Sequence, residues 1–232
     1  MKKGGNMKTD SELQRSVMEE LVWEPSVDAA EIGVAAESGI VTLSGTVKSL
    51  PQKWAAEKAA QRVSGVKAIT DEIVVKLPGD SELSDTEIAR AAVNALDWNA
   101  SVPRGRVGIV VAHGWITLEG TVQFHYERVA AEYAVRGITG AKGVTNLISV
   151  TPPHVSPKDI RHRIEQAFER CAELDAQKIS VEAKNGEVVL RGKVNSWAER
   201  EHAELAAWAA PGVSKVKNEI MISPEEETVA TL

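Results

Sequence analysis

A glycine recurs three times in one local setting: Gly45 in LSGTV, Gly120 in LEGTV and Gly192 in LRGKV, spaced 75 and then 72 residues apart. Around each anchor the same residue types return at fixed offsets. Six residues before lie Gly39, Gly114 and Gly186, and twenty after lie Gly65, Gly140 and Gly212. Glu57, Glu132 and Glu204 follow at twelve, and Asp71, Asn146 and Asn218 at twenty-six. Self-similarity at a fixed period means that one structural unit is repeated. The chain of 232 residues therefore reads as three copies of a unit of some sixty-five, not as one large domain.

The boundaries follow from composition. Residues 10–76, 84–150 and 156–222 carry the three copies, after an extension over 1–9 and before an acidic tail over 223–232. The joints, Leu77-Pro-Gly-Asp-Ser-Glu-Leu-Ser and Thr151-Pro-Pro-His-Val-Ser-Pro157, are rich in residues that break regular structure.

Each copy opens with a helix. Ser84 and Ser156 are its clearest caps, and Leu13, Val17, Leu21 and Ile160, Ile164, Phe168 are its apolar stripes at i, i+4, i+8. Two alternating strands follow, joined by Ser38-Gly39, His113-Gly114 or Asn185-Gly186. Asn-Gly between alternating strands marks a type I′ hairpin, which needs positive φ at both positions. A second helix carries small residues inward: Ala56, Ala59, Ala60, Val63; Ala131, Ala134, Val135, Ile138; and Ala203, Ala206, Ala207, Ala210. Gly65, Gly140 and Gly212 are expected as its left-handed caps. A third strand, Ile69–Val75, Val144–Val150 or Val216–Ile222, closes the unit. The fold class is α+β: three tandem αββαβ units, each a small mixed sheet with two helices packed on one face. Gly45, Gly120 and Gly192 fall on the inward phase of the second strand, where their lack of a side chain is expected to let the Ala-lined helix approach closely, a bulge being the alternative.

The composition excludes more than it assigns. Lys and Arg number 27 and Asp and Glu 33, a net charge of −6, whereas nucleic-acid binding rests on a clustered basic surface. Cys171 is the single cysteine, so no intrachain disulfide or multi-cysteine metal site can form. His113, His125, His154, His162 and His202 occupy different repeat offsets and form no HxH or HxxxH pair. No nucleophile elbow, phosphate loop or dinucleotide fingerprint is present. The expectation is a protein that is not an enzyme and uses no cofactor and no metal. No stretch reaches the apolar length of a membrane span. The start, MKKGGNMKTDSELQ, has two lysines but no apolar run, which reads as cytoplasmic; an upstream start would instead make the protein periplasmic.

Lys53/Glu57, Arg128/Glu132 and Arg200/Glu204 stand four apart on the second helix and read as a solvated flank. Asp71, Asn146 and Asn218, polar at the inward phase of the third strand, are expected to bond to backbone.

Taken together, the helix ending Trp23-Glu-Pro, the run Gly39-Ile-Val-Thr-Leu-Ser-Gly-Thr-Val47, the Ala-rich helix, Gly65-Val66 and Ile73-Val-Val resemble the BON (bacterial OsmY and nodulation) domain, repeated three times. The resemblance implies a bacterial binding module of the osmotic or envelope stress response, with phospholipid head groups or envelope and stress proteins as partners. It also implies an alternative, a cytoplasmic ion-responsive scaffold of the potassium-binding type. It transfers no catalytic motif.

A binding surface is sought where apolar residues leave the core. On the second helix Trp54, Val129, Tyr133, Leu205 and Trp208 lie opposite the Ala stripe, and Trp115 lies at an outward phase of a strand. They are candidates either for contacts between copies or for a lipid or partner surface.

Overall fold

The computed structural model describes residues 8–79, 82–171 and 174–223. Most of the tail and most of the N-terminal extension lie outside the described residues. The first copy comprises α1 (Asp10–Trp23), β1 (Ile32–Glu37), β2 (Ile40–Val47), α2 (Leu50–Arg62) and β3 (Ala68–Val75). The second comprises α3 (Asp85–Trp98), β4 (Val107–Ala112), β5 (Trp115–Val122), α4 (His125–Arg136), β6 (Gly143–Asn146) and β7 (Ser149–Val150). The third comprises α5 (Pro157–Arg170), β8 (Ile179–Lys184), β9 (Glu187–Val194), α6 (Trp197–Ala209) and β10 (Lys215–Ile222).

Each sheet is small and mixed. The middle strand pairs antiparallel with the hairpin strand before it and parallel with the strand after the second helix. The parallel pairing is what forces a helix between the second and third strands, since a parallel neighbour needs a crossover. Both helices lie on one face of the sheet, and the core forms between them. Leu13, Val17 and Leu21 of α1 meet Val41 and Leu43 of β2 and Ala56, Ala59 and Ala60 of α2, all buried. In the second copy the third strand is interrupted at Leu147 and Ile148, where one strand over Val144–Val150 was expected; the Leu147 N–H still donates to the Leu118 carbonyl at 2.8 Å.

The first helices start at side-chain caps. Thr9 and Ser84 each accept the backbone N–H of a glutamate three residues on, and that glutamate's carboxylate takes the cap's own N–H. Each such cap contributes on the order of 1 kcal/mol. In the second copy Asp85 also accepts the backbone N–H groups of His113 and Gly114, both at 2.8 Å, tying α3 to the β4–β5 hairpin.

Two glycine expectations need correction. The second helices end before Gly65, Gly140 and Gly212: α2 stops at Arg62 and Val63 is its cap, so the glycine takes positive φ in the following turn. The anchor glycines do not make room for the helix. Gly45, Gly120 and Gly192 have φ of 121°, 131° and 153°, and a Cβ there would strike the backbone carbonyl of Glu31, Arg106 or Lys178, just before the hairpin strand. The constraint lies within the sheet. The hairpin positions Ser38, His113 and Asn185, with Gly39, Gly114 and Gly186 after them, all have positive φ.

Candidate functional site at the second helices

The three second helices meet one another, and every pair of copies is in contact. Between copies two and one, the Arg136 guanidinium near the end of α4 lies over the Trp54 ring near the start of α2, 4.3 Å from its centroid. The same guanidinium lies 4.3 Å from the Tyr133 ring centroid, so an indole and a phenol share one cation. Between copies three and two, Trp208 near the end of α6 stacks on His125 at the start of α4. Between copies one and three, the Trp197 indole N–H at the start of α6 donates to the Val66 carbonyl just past α2, at 3.0 Å. Beside it Lys58 pairs with Glu201 at 3.0 Å.

These contacts follow one rule. The end of one second helix packs on the start of another: copy two on copy one, copy three on copy two, copy one on copy three. A head-to-tail contact that returns to its origin makes a closed ring, here of three covalently joined units. The buried residues of copies one and two form one continuous cluster, those of copy three a second, and Trp208 packs against both.

The structure thus brings some candidate residues together and leaves others apart. Trp54 and Trp208 are half-buried at the junctions, and Tyr133 borders one of them through Arg136 while staying exposed. Val129 is half-buried on α4, and Leu205 is exposed on α6. Trp115 is exposed on its own sheet, where its indole N–H donates to the Thr145 hydroxyl at 2.8 Å and its ring covers Gly143. Trp115 takes no part in the three junction contacts described above.

His125, Arg136 and Trp197 carry the junctions and were not singled out by sequence. Arg136 and Trp208 occupy one repeat position, held in copy one by Gln61; His125 and Trp197 share another, held by Leu50. The usable signal was that these positions are aromatic, cationic or imidazole in a helix whose inward stripe is already complete. The His125 ring is half-buried, and its Nδ1 is buried without a hydrogen-bond partner. Burial, then the nearby Arg128, pushes its pKa down to about 4, against the opposing pull of Glu204 and Glu132.

The flank of the second helix is also different from the expected one. Lys53, Arg128 and Arg200 do not pair along the helix with the glutamate four residues on; they reach across to the third strand. Lys53 Nζ donates to the Ile73 carbonyl at 2.8 Å, and Arg200 to the Asn218 and Ile220 carbonyls at 3.1 and 3.2 Å. Asp71, Asn146 and Asn218 each accept the backbone N–H two residues on, at 3.0, 3.1 and 3.2 Å. The other amide end of Asn146 and Asn218 donates to Glu132 and Glu204, at 3.1 and 2.9 Å. These polar groups stitch helix to sheet in every copy.

Among the described residues no cluster of His, Cys, Asp and Glu is arranged to hold a metal ion, and no helix is long and apolar enough to cross a membrane. The open hollows on the surface are shallow; one of about 490 Å³ is lined by Glu20, Trp23, Glu24, Pro25 and Arg62.

Three small mixed sheets, each with two helices on one face and tied to its second helix by polar groups at equivalent positions, define a tandem array of α+β modules. The BON domain matches residues 9–76, 84–152 and 156–224, and the chain belongs to the BON-domain family. It is similar to the osmotically-inducible protein Y of Escherichia coli (strain K12), 29% identical over 150 residues, which cover 63% of this chain and 75% of that one. Among solved structures it aligns with CdsD, a structural protein of the type III secretion system of Chlamydia trachomatis, at 15% identity over 93% of this chain and 94% of that one. The TM-score of 0.27 is too low to bear on fold or function.

Proposed function

We propose that the chain is a non-enzymatic binding protein of the osmotic or envelope stress response, whose BON units dock on phospholipid head groups. Family membership and the similarity to an osmotically inducible protein support the stress setting. The observation that carries the lipid reading is a pair of tryptophans. Trp23 and Trp98 end α1 and α3 at equivalent positions, and they are 81% and 89% exposed. An indole left in water at the same place in two copies has no packing role in the fold, and Trp is the side chain best suited to the head-group layer, where one part of the ring is dry and its N–H wet.

Vesicle flotation tests this, with phosphatidylethanolamine alone and mixed with phosphatidylglycerol. The whole chain should float with one or both vesicles, and the variant carrying Trp23→Ala and Trp98→Ala should remain at the bottom while melting at the parent temperature. Failure of the parent chain to float with either vesicle, or equal flotation of the variant, would contradict the reading.

A further inference from the structure

The three copies repeat one polar stitch, and copy one departs from it in two residues: Lys53 stands for Arg128 and Arg200, and a carboxylate stands for the strand amide. In copies two and three the third strand supplies an asparagine whose amide group donates to the helix glutamate: Asn146 to Glu132 at 3.1 Å, Asn218 to Glu204 at 2.9 Å. At the same position copy one has Asp71. Its Oδ1 does what the asparagine oxygens do, accepting the Ile73 N–H at 3.0 Å, where the others accept from Ile148 and Ile220. That anchor holds Asp71 in the strand position of the asparagines; its second oxygen meets the Lys53 ammonium at 2.6 Å, and its carboxylate faces Glu57 where the asparagines face Glu132 and Glu204. An amide can donate there; a carboxylate cannot.

We propose that Glu57 and Asp71 form a proton-binding switch in copy one, taking up one proton between them as the pH falls and so restoring the helix-to-strand hydrogen bond that the other two copies hold permanently. The proton binds one carboxyl oxygen and is shared with the facing carboxylate; no other bond changes. The charged groups that face Glu57 are Asp71 on β3, Lys53 on α2 and Arg136 on α4 of the neighbouring copy. Lys53 lies 2.6 Å from Asp71 Oδ2 and also donates to the Ile73 carbonyl, so this ammonium is already held by the strand and, among the described residues, Glu57 is left without a direct ion pair. Burial first, and then Asp71, hold the Glu57 carboxyl above its ordinary range, against Lys53 and Arg136. A carboxyl raised in the folded state stabilises the fold when protonated, and that stability is lost as pH rises through the folded value. The seam therefore tightens on acidification, where an ordinary ion pair loosens. It adjoins the junction with copy two, because the Arg136 that faces Glu57 also stacks on Trp54.

The test compares the full chain with its Asp71→Asn variant, which installs the asparagine of the other copies. Melting temperature is followed from about pH 7.5 to about pH 4.5. The variant should melt a few degrees higher at the upper pH, and the gap should close at the lower one. The Glu57 carboxyl, followed by carbon NMR, should titrate above the ordinary glutamate range in the parent and move down toward it in the variant. A variant that melts with the parent at every pH, or above it by a constant margin, would overturn the proposal. So would a Glu57 that titrates alike in both chains; this measurement on the parent alone keeps the proposal open to refutation even if the variant fails to fold.

Discussion

The imidazole of His125 lies flat on the indole of Trp208, with centroids 3.9 Å apart and planes 7° apart, joining the start of α4 to the end of α6 across two copies of the repeat. The junction holds a neutral imidazole, because its pKa is lowered from 6.5 to about 4. The unfolded chain binds that proton at the ordinary value. The stability this burial contributes is therefore complete above about pH 6.5 and is lost as pH falls from there toward about 4. His125→Phe keeps an aromatic ring on Trp208 and has nothing to titrate. Its melting temperature should fall less steeply than the parent's across that window, and parallel curves would show that His125 does not carry the pH dependence.

The candidate aromatics on the second helices should separate into two groups. Trp54→Ala removes the ring under Arg136, and Trp208→Ala removes the ring on His125. Each leaves a half-buried space and should cost about 1–3 kcal/mol in denaturant unfolding. Leu205→Ala, at an exposed position, should stay within about 0.5 kcal/mol. Equal effects at all three positions would place the junctions elsewhere.

The anchor glycines give a test of mechanism through side-chain size. Because the first added carbon already meets a backbone carbonyl at positive φ, Gly45→Ala should carry most of the cost of Gly45→Val, about 1–3 kcal/mol, and the same holds at Gly120 and Gly192. Overpacking against α2 would instead give a mild alanine and a severe valine. Denaturation midpoints of the two series decide between them.

Much of the architecture was legible in sequence because it rests on local rules. Asn185-Gly186 demands a hairpin, Ser84 caps a helix, and the spacing of Ile160, Ile164 and Phe168 sets a buried stripe. The anchor glycines show the limit. Their position was evident, but the carbonyl that excludes a Cβ comes from Glu31, fourteen residues earlier, and no periodicity reveals it. The junctions were half legible. The outward Trp54 and Trp208 signalled that something covers that helix face, yet their partners, Arg136 and His125, come from other copies and use different chemistry at each joint. Glu57 read as solvated because its partner, Asp71, lies across the helix-to-strand seam, not along the helix.

Trp197 offers a probe of the third junction. Trp197→Phe keeps a six-membered aromatic ring and removes the pyrrole edge with the N–H that reaches Val66. The expected loss is about 1 kcal/mol, the ordinary worth of such a bond, with no change in the fold's circular dichroism. An unchanged denaturation midpoint would mean that the contact between copies one and three contributes nothing to stability.

The closed ring of second helices is tested most directly by cross-linking Lys58 to Glu201, residues 143 apart in sequence whose charged groups lie 3.0 Å apart. A zero-length carbodiimide reagent joins an amine to a carboxylate only where the two already touch. Within copy one, Lys53 and Asp71 at 2.6 Å provide the internal standard. In dilute full-length protein, peptide mass spectrometry of the monomer should find both the Lys53–Asp71 and the Lys58–Glu201 links. Recovery of the first without the second, or of the second only in a dimer, would contradict the ring.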